Sequence, residues 1–163
     1  MVCGLGLEED AAIARDRGHE LVTPTHTGLG ERSHLARPDI DLDAHIADVL
    51  CVLRFEDLRD VFLVGHSDGG MVATGVADRA SERIAHLVYL DAFVPKDGQS
   101  LADLAGAAAH ARVVAAAREH GEGWRVPVLR KNPVSWHHCL SRLKAERCGT
   151  MSAWSPSRGS HCV

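Results

Sequence analysis

In one stretch of this 163-residue chain, residue types and spacing add up to chemistry: the run VFLVGHSDGG, Val61 to Gly70. Four apolar residues lead into a Gly-x-Ser-x-Gly, with Ser67 between Gly65 and Gly69. A serine hydroxyl is a weak nucleophile at neutral pH. It needs a base to take its proton, an acid to orient that base, and N–H donors for the oxyanion that forms. A tight turn from a buried strand into a helix presents such a hydroxyl at the end of a sheet. Small residues two places before and after the serine keep that turn free of clashes. Gly65 and Gly69 stand at those places. The backbone N–H of Asp68 is then one oxyanion donor, and the amide dipoles of the following helix favour the developing charge. The competing reading is a tight strand-to-helix turn in which Ser67 only caps the helix.

The elements that must position this serine are legible in the pattern around it. Residues 61–65 form a short continuous apolar run, the signature of a strand buried on both faces. Residues 70–80 read as a helix, with Met71, Val72 and Val76 available to pack. Residues 86–95 form a second apolar strand closed by Pro95. Upstream, 8–17 reads as a short helix stopped by Gly18, and 19–24 as a short strand ended by Pro24. Residues 25–40 are a loop. Residues 41–57 are an amphipathic helix on which Ile46, Val49, Leu50 and Leu53 repeat at helical spacing. Asp41 or Asp43 is its candidate cap. Residues 101–121 are alanine-rich and helical, ending at Gly121. Beyond them periodicity fades, with one weak helix over 138–147. The alternation of strand and helix predicts an α/β fold with a short parallel sheet of about three strands flanked by helices.

Composition narrows the functional classes. Apolar residues are 45% and charged residues 25% of the chain, and mean hydropathy is near zero, an ordinary globular balance. No apolar run approaches the length of a membrane span, and the first residues lack the basic and apolar regions of a signal peptide. The net charge of −4 argues against nucleic acid as a partner. Five irregularly spaced cysteines, Cys3, Cys51, Cys139, Cys148 and Cys162, read as free thiols in a reducing cytoplasm. The averages conceal a break. Residues 1–122 carry 21 acidic and 11 basic side chains, whereas residues 123–163 carry one acidic and seven basic, together with all three tryptophans. This shift predicts a core unit over 1–125 and an atypical basic tail over 126–163.

Three segments carry a resemblance: RGHELVTPTHTGLGERSHL (17–35), DVFLVGHSDGGMVATGVADR (60–79) and IAHLVYLDAFVPKDGQSLADL (84–104). Together they resemble the α/β-hydrolase superfamily, within it small bacterial esterases akin to the plant methylesterase and hydroxynitrile-lyase group. The likeness covers about residues 15–125. The run TGLGERSHL is far more specific than the serine motif. The resemblance implies that 19–24, 61–65 and 86–93 are strands 4, 5 and 6, and that 101–121 begin a helical cap. It implies that Ser67 is the nucleophile. Asp68 stands where the group has an aromatic or apolar residue. The family's strand 3, which lies between strands 4 and 5, and its His-Gly loop have no counterpart before residue 17. The acid and histidine that follow strands 7 and 8 also have none. These gaps predict a product truncated at both ends or frame-shifted, with exposed sheet edges, marginal stability, or a homodimer through a sheet edge.

The remaining catalytic roles fall to candidates. In the order serine, acid, histidine, His137, His138 and His161 come late enough. His161, in GSHCV, echoes a terminal Gly-x-His and is the candidate base. The superfamily sometimes places its acid after strand 6, which makes Asp91 the candidate acid; the alternative is that Asp91 only bonds the following loop. His26 replaces an apolar residue of the family on the loop after strand 4, facing the rim of the serine, and His66 is structural. His137, His138, Cys139, Cys148, His161 and Cys162 lack zinc-site spacing, and no glycine-rich phosphate loop is present; no metal or cofactor is expected. The expected activity is hydrolysis of small carboxylic esters through an acyl-enzyme, impaired by truncation. The alternative is a catalytically inactive relic or ligand-binding module on the same scaffold.

Overall fold

The computed structural model describes residues 14–126. The chain divides into units Met1–Arg130 and Lys131–Val163, and every element described belongs to the first. In chain order these are α1 (Leu42–Phe55), β1 (Val61–Ser67), α2 (Gly69–Arg79), β2 (Ile84–Ala92), α3 (Leu101–Ala105) and α4 (Ala107–His120), with 3-10 turns at Gly30–Leu35 and Ser81–Arg83.

Helix α1 starts where its sequence says it should. The Asp41 carboxylate accepts the Ala44 N–H at 3.0 Å, satisfying one of the orphan donors of the first turn. Its apolar stripe, Ile46, Val49 and Leu53, packs with Leu63 of β1 and with Val72, Ala73 and Val76 of α2 to form the core. Each fully buried aliphatic chain there stabilises the fold by about 1.5–3 kcal/mol. Gly75 lets α2 lie close on α1, because a methyl group at that position would run into Ile46. At the far end of α1, Arg83 donates through Nη1 to the carbonyls of Leu53 (3.1 Å) and Leu58 (3.0 Å) and to Asp57 (3.2 Å). It thereby closes the helix C-terminus onto the start of β2.

Strands β1 and β2 run parallel, in a register from Val61↔Ile84 through Gly65↔Tyr89 to Ser67↔Ala92. Among the described residues the sheet has these two strands, where about three are expected over the chain. Residues 19–24, expected as a strand, are outside any ladder, and Leu21 and Val22 remain 40% and 43% exposed. A strand exists only through its hydrogen-bonded neighbour. The neighbour that the resemblance assigns to this segment has no counterpart among the described residues. Strand β1 is also buried on one face, not both. Leu63 and Gly65 lie under the helices, while the alternate Phe62 and Val64 are 66% and 43% exposed, as the two-residue period of a strand dictates. Phe62 makes a cross-strand ring contact with His86 there, centroids 4.6 Å apart.

Two further expectations are adjusted. The loop over 25–40 contains a 3-10 turn, Gly30–Leu35. The helix expected over 101–121 is two helices, α3 and α4, broken at Gly106 with φ +82° and ψ 160°, a conformation that essentially only glycine adopts. Ser100 and Asp103 form a reciprocal capping box at the start of α3. The stop at Gly18 is present: its φ is +80° and its N–H donates to the Arg15 carbonyl at 2.9 Å. The weak helix over 138–147 lies outside the described residues. No helix among the described residues is long and apolar enough to cross a membrane.

Candidate active site

Ser67 is the last residue of β1, and Asp68 links it to α2. The chain turns here through a left-handed serine, φ +53°. That conformation brings Cβ of an L-residue too close to its own backbone and costs about 1–2 kcal/mol. It persists only where surrounding packing enforces it, which is common at reactive turns. The packing is explicit. A methyl group on Gly65 would stand 2.9 Å from Ala73 Cβ, from the Gly69 carbonyl oxygen and from Gly70 Cα. Only glycine at this place lets the start of α2 fold back on the strand. Gly70 is equally constrained from the other side, because a methyl group there would run into the Phe93 carbonyl at the exit of β2.

The helix-cap reading of the serine does not fit. Asp68 is the N-cap of α2, in a right-handed conformation (φ −64°, ψ −22°), and no side-chain bond caps this helix end. The helix begins with Gly69 and Gly70, both buried, so amide groups rather than bulky side chains crowd its mouth. Asp68 itself is exposed. Its side chain is thus free of the crowded side of the turn, while its backbone stands directly after the serine.

Asp91 lies across the sheet from this turn. The register passes from His66↔Leu90 to Ser67↔Ala92, so Asp91 is an extra residue, bulged out of the ladder. Its φ is +44°, and it is exposed. Bulges bend a strand and re-aim its side chains, often beside reactive groups. Two residues on, the Phe93 N–H donates to the Ser67 carbonyl at 2.9 Å, tying the bulge to the serine turn. Sequence reading selected Asp91 as a strand-end acid. The left-handed bulge, and the role of Gly70 in admitting it, carry no local sequence signal beyond a second glycine after the motif.

His66 is half-buried on β1. Burial holds its imidazole below the ordinary histidine range, against the opposing pull of the Asp91 and Asp68 carboxylates. These two acids therefore share one electrostatic neighbourhood with the residue before the serine. His26 is buried, 8% exposed, and stacks on His45 with ring centroids 4.8 Å apart and 19° between planes. Burial, then the adjacent His45, pushes it down to about 4, although Asp48 and Asp68 pull the other way. His26 is thus a neutral ring at ordinary pH, within the field of the Asp68 carboxylate. His161, with His137 and His138, lies outside the described residues, so the structure brings together Ser67, Asp68 and Asp91 of the expected set. Among the described residues no group of three or more His, Cys, Asp or Glu is arranged to hold a metal ion.

A strand–serine–helix elbow on a parallel sheet, with the small residues its geometry requires, defines an α/β-hydrolase type of fold and site. The chain belongs to the alpha/beta hydrolase family, whose model matches residues 4–160. Over 93 residues it is 57% identical to a carbendazim hydrolyzing esterase of Nocardioides sp. (strain SG-4G), an alignment covering 57% of this chain and 38% of that protein. Its fold is similar to that of an extracellular alpha/beta-hydrolase from a Paenibacillus species, with a TM-score of 0.62 and 31% identity. That match covers 71% of this chain and 46% of the other. The Paenibacillus protein is described as sharing structural and functional homology with tobacco salicylic acid binding protein 2. The chain thus spans less than half the length of these two relatives.

Proposed function

We propose that this chain carries the nucleophile of a serine hydrolase acting on small carboxylic esters. The observation that carries the reading is the left-handed Ser67 at the β1–α2 turn, held between Gly65 and the helix mouth. The 57% identity to a carbendazim hydrolyzing esterase supports the same class of reaction. In the first step Ser67 Oγ bonds to the ester carbonyl carbon as its proton passes to a histidine, with the Asp68 N–H donating to the oxyanion. The tetrahedral intermediate collapses, the carbon–oxygen bond to the alcohol breaks, and the histidine returns its proton to the departing alkoxide. Water then releases the acid by the same route in reverse. Asp91 is the proposed acid and His161 the proposed base; neither a metal nor an organic cofactor enters. We assign the protein to the cytoplasm on its irregular cysteines, whereas the Paenibacillus relative is described as extracellular.

The test is covalent labelling. Purified protein is treated with a fluorophosphonate probe and, separately, with p-nitrophenyl acetate, beside Ser67→Ala. The expected result is labelling and turnover in the wild type and loss of both in the variant. Folded wild-type protein that neither labels nor turns over would favour the rival reading, a non-catalytic ligand-binding module on the same scaffold. Replacing His161 or Asp91 by alanine tests each assignment; turnover within twofold of wild type would remove that residue from the mechanism.

A further inference from the structure

The side chain of Tyr89 reaches from β2 to α2, and the contact it makes there leads back to the serine turn. Its hydroxyl lies 2.7 Å from Thr74 Oγ1. Thr74 Oγ1 in turn donates to the Gly70 carbonyl, four residues earlier on α2, at 2.7 Å. A threonine hydroxyl has one proton to give. The carbonyl can only accept and takes that proton, so Tyr89 is the donor to Thr74. The order is therefore Tyr89 O–H to Thr74 O–H to Gly70 C=O. A threonine bond to the carbonyl four residues back is open to many helices. The second partner is not local: the register sets Tyr89 opposite Gly65, the residue whose bare Cα lets the start of α2 close on β1. The Gly70 carbonyl shares its peptide unit with the Met71 N–H, which donates to the Asp68 carbonyl at 3.0 Å. One run of hydrogen bonds thus passes from β2 through the first turn of α2 to the residue after Ser67.

The chain just past β2 holds the turn at a second point. The Ser67 carbonyl that accepts the Phe93 N–H shares its peptide unit with the Asp68 N–H, the oxyanion donor of the proposed mechanism. A donor on the carbonyl side polarises such a unit and strengthens its N–H. Asp68 is gripped on both sides, by Phe93 through the peptide before it and by Met71 at its own carbonyl. One bond alone would leave the helix mouth free to pivot about it. The Tyr89–Thr74 link, together with the close seat of Gly70 on the Phe93 carbonyl, removes that freedom. We propose that Tyr89 is a positioning residue of the esterase site: acting through Thr74, its hydroxyl locks the first turn of α2 to β2 and so aims the Asp68 N–H at the oxyanion. The inference rests on the esterase reading above. Aim matters because an oxyanion donor acts only from about 2.7–3.1 Å.

Tyr89→Phe removes the hydroxyl and keeps the ring. Thr74→Val breaks the run in its middle, and Thr74→Ser keeps it. Two readouts on the full chain decide the matter: kcat and KM for p-nitrophenyl acetate per folded molecule, and hydrogen exchange of the Met71 amide. Acylation and deacylation both pass through an oxyanion, so a loss of aim lowers kcat and leaves KM in place. The expected result in Tyr89→Phe and in Thr74→Val is a kcat lowered roughly threefold to tenfold, the scale of one neutral hydrogen bond. KM stays within twofold, and Met71 exchanges faster. The double variant falls no further than either single one, because both residues serve one run of bonds. Thr74→Ser restores kcat and exchange. A folded Tyr89→Phe that shifts only the urea midpoint and keeps the wild-type kcat overturns the proposal, as does a double variant whose loss is the product of the two single losses. Should Tyr89→Phe fail to fold, Thr74→Val against Thr74→Ser decides by the same measures. Absence of Ser67-dependent turnover in the wild type overturns the esterase reading instead. Met71 exchange then still decides whether Tyr89 locks the turn.

Discussion

The strain at Ser67 makes a prediction that separates a strained strand-to-helix turn from an ordinary one. Ser67 has φ +53°, and an L-residue held there gives up about 1–2 kcal/mol. Glycine has no Cβ and escapes that cost, but it adds freedom to the unfolded chain worth about 0.4–1 kcal/mol. The difference leaves glycine ahead by roughly 0.8 kcal/mol, about fourfold in the folding equilibrium constant. The proper reference is Ser67→Ala, which removes the hydroxyl yet keeps Cβ and therefore the strain. Urea unfolding of Ser67→Gly and Ser67→Ala at pH 7 should give equal slopes. With a slope of about 1–3 kcal/mol/M, the midpoint of the glycine variant should lie roughly 0.3–0.8 M higher. Both variants should lose fluorophosphonate labelling. A glycine variant with a midpoint at or below that of the alanine variant would refute the claim that packing forces this serine into a strained conformation.

Further expectations concern the supports of the site. Gly70→Ala should destabilise the fold by about 1–3 kcal/mol, because the obstacle is the Phe93 backbone just past β2 and cannot rotate away. Labelling of Ser67 should fall with it, since the Phe93–Ser67 hydrogen bond lies at the displaced exit. Arg83→Met should cost about 2 kcal/mol by urea unfolding, leaving the Leu53 and Leu58 carbonyls without their charged donor, with turnover of the folded protein unaltered. Histidine burial sets the acid side of stability. The folded protein holds His26 at about 4, against an ordinary value of 6.5. Between these values the unfolded chain binds more protons. Stability therefore falls as pH drops from about 6.5, and the loss is complete below about 4. Urea midpoints measured from pH 7 to pH 4 should fall less steeply in His26→Phe; an equal slope would show that His26 is not the group responsible.

Much of the local structure is legible in the amino-acid sequence, for reasons that are themselves local. Asp41 caps α1 because a side-chain oxygen at that place can reach an amide three residues on. Ile46, Val49 and Leu53 are buried because helical spacing puts them on one face. Gly65 is required by the tightness of the strand-to-helix turn. Where expectation and structure diverge, the missing information is non-local. Residues 19–24 have strand-like composition, but a strand is defined by its partner. Phe62 and Val64 read as core, but burial of the second face of a sheet depends on what packs there. Gly106 sits in an alanine-rich run whose helical propensity is high on both sides, and only its backbone conformation reveals the break.

The site divides in the same way. The sequence by itself determined the serine turn, because Gly-x-Ser-x-Gly after an apolar run encodes both the hydroxyl and the space it needs within one short stretch. The tertiary structure alone decided that Asp91 is a bulged, left-handed residue tied to the serine turn, that Gly70 must stay bare to admit the exit of β2, and that His26 lies stacked on His45. Each of these depends on two segments far apart in the chain meeting at van der Waals or hydrogen-bond distance. Such meetings are set by the packing of α1, α2 and the two strands around one core, and no single segment carries them.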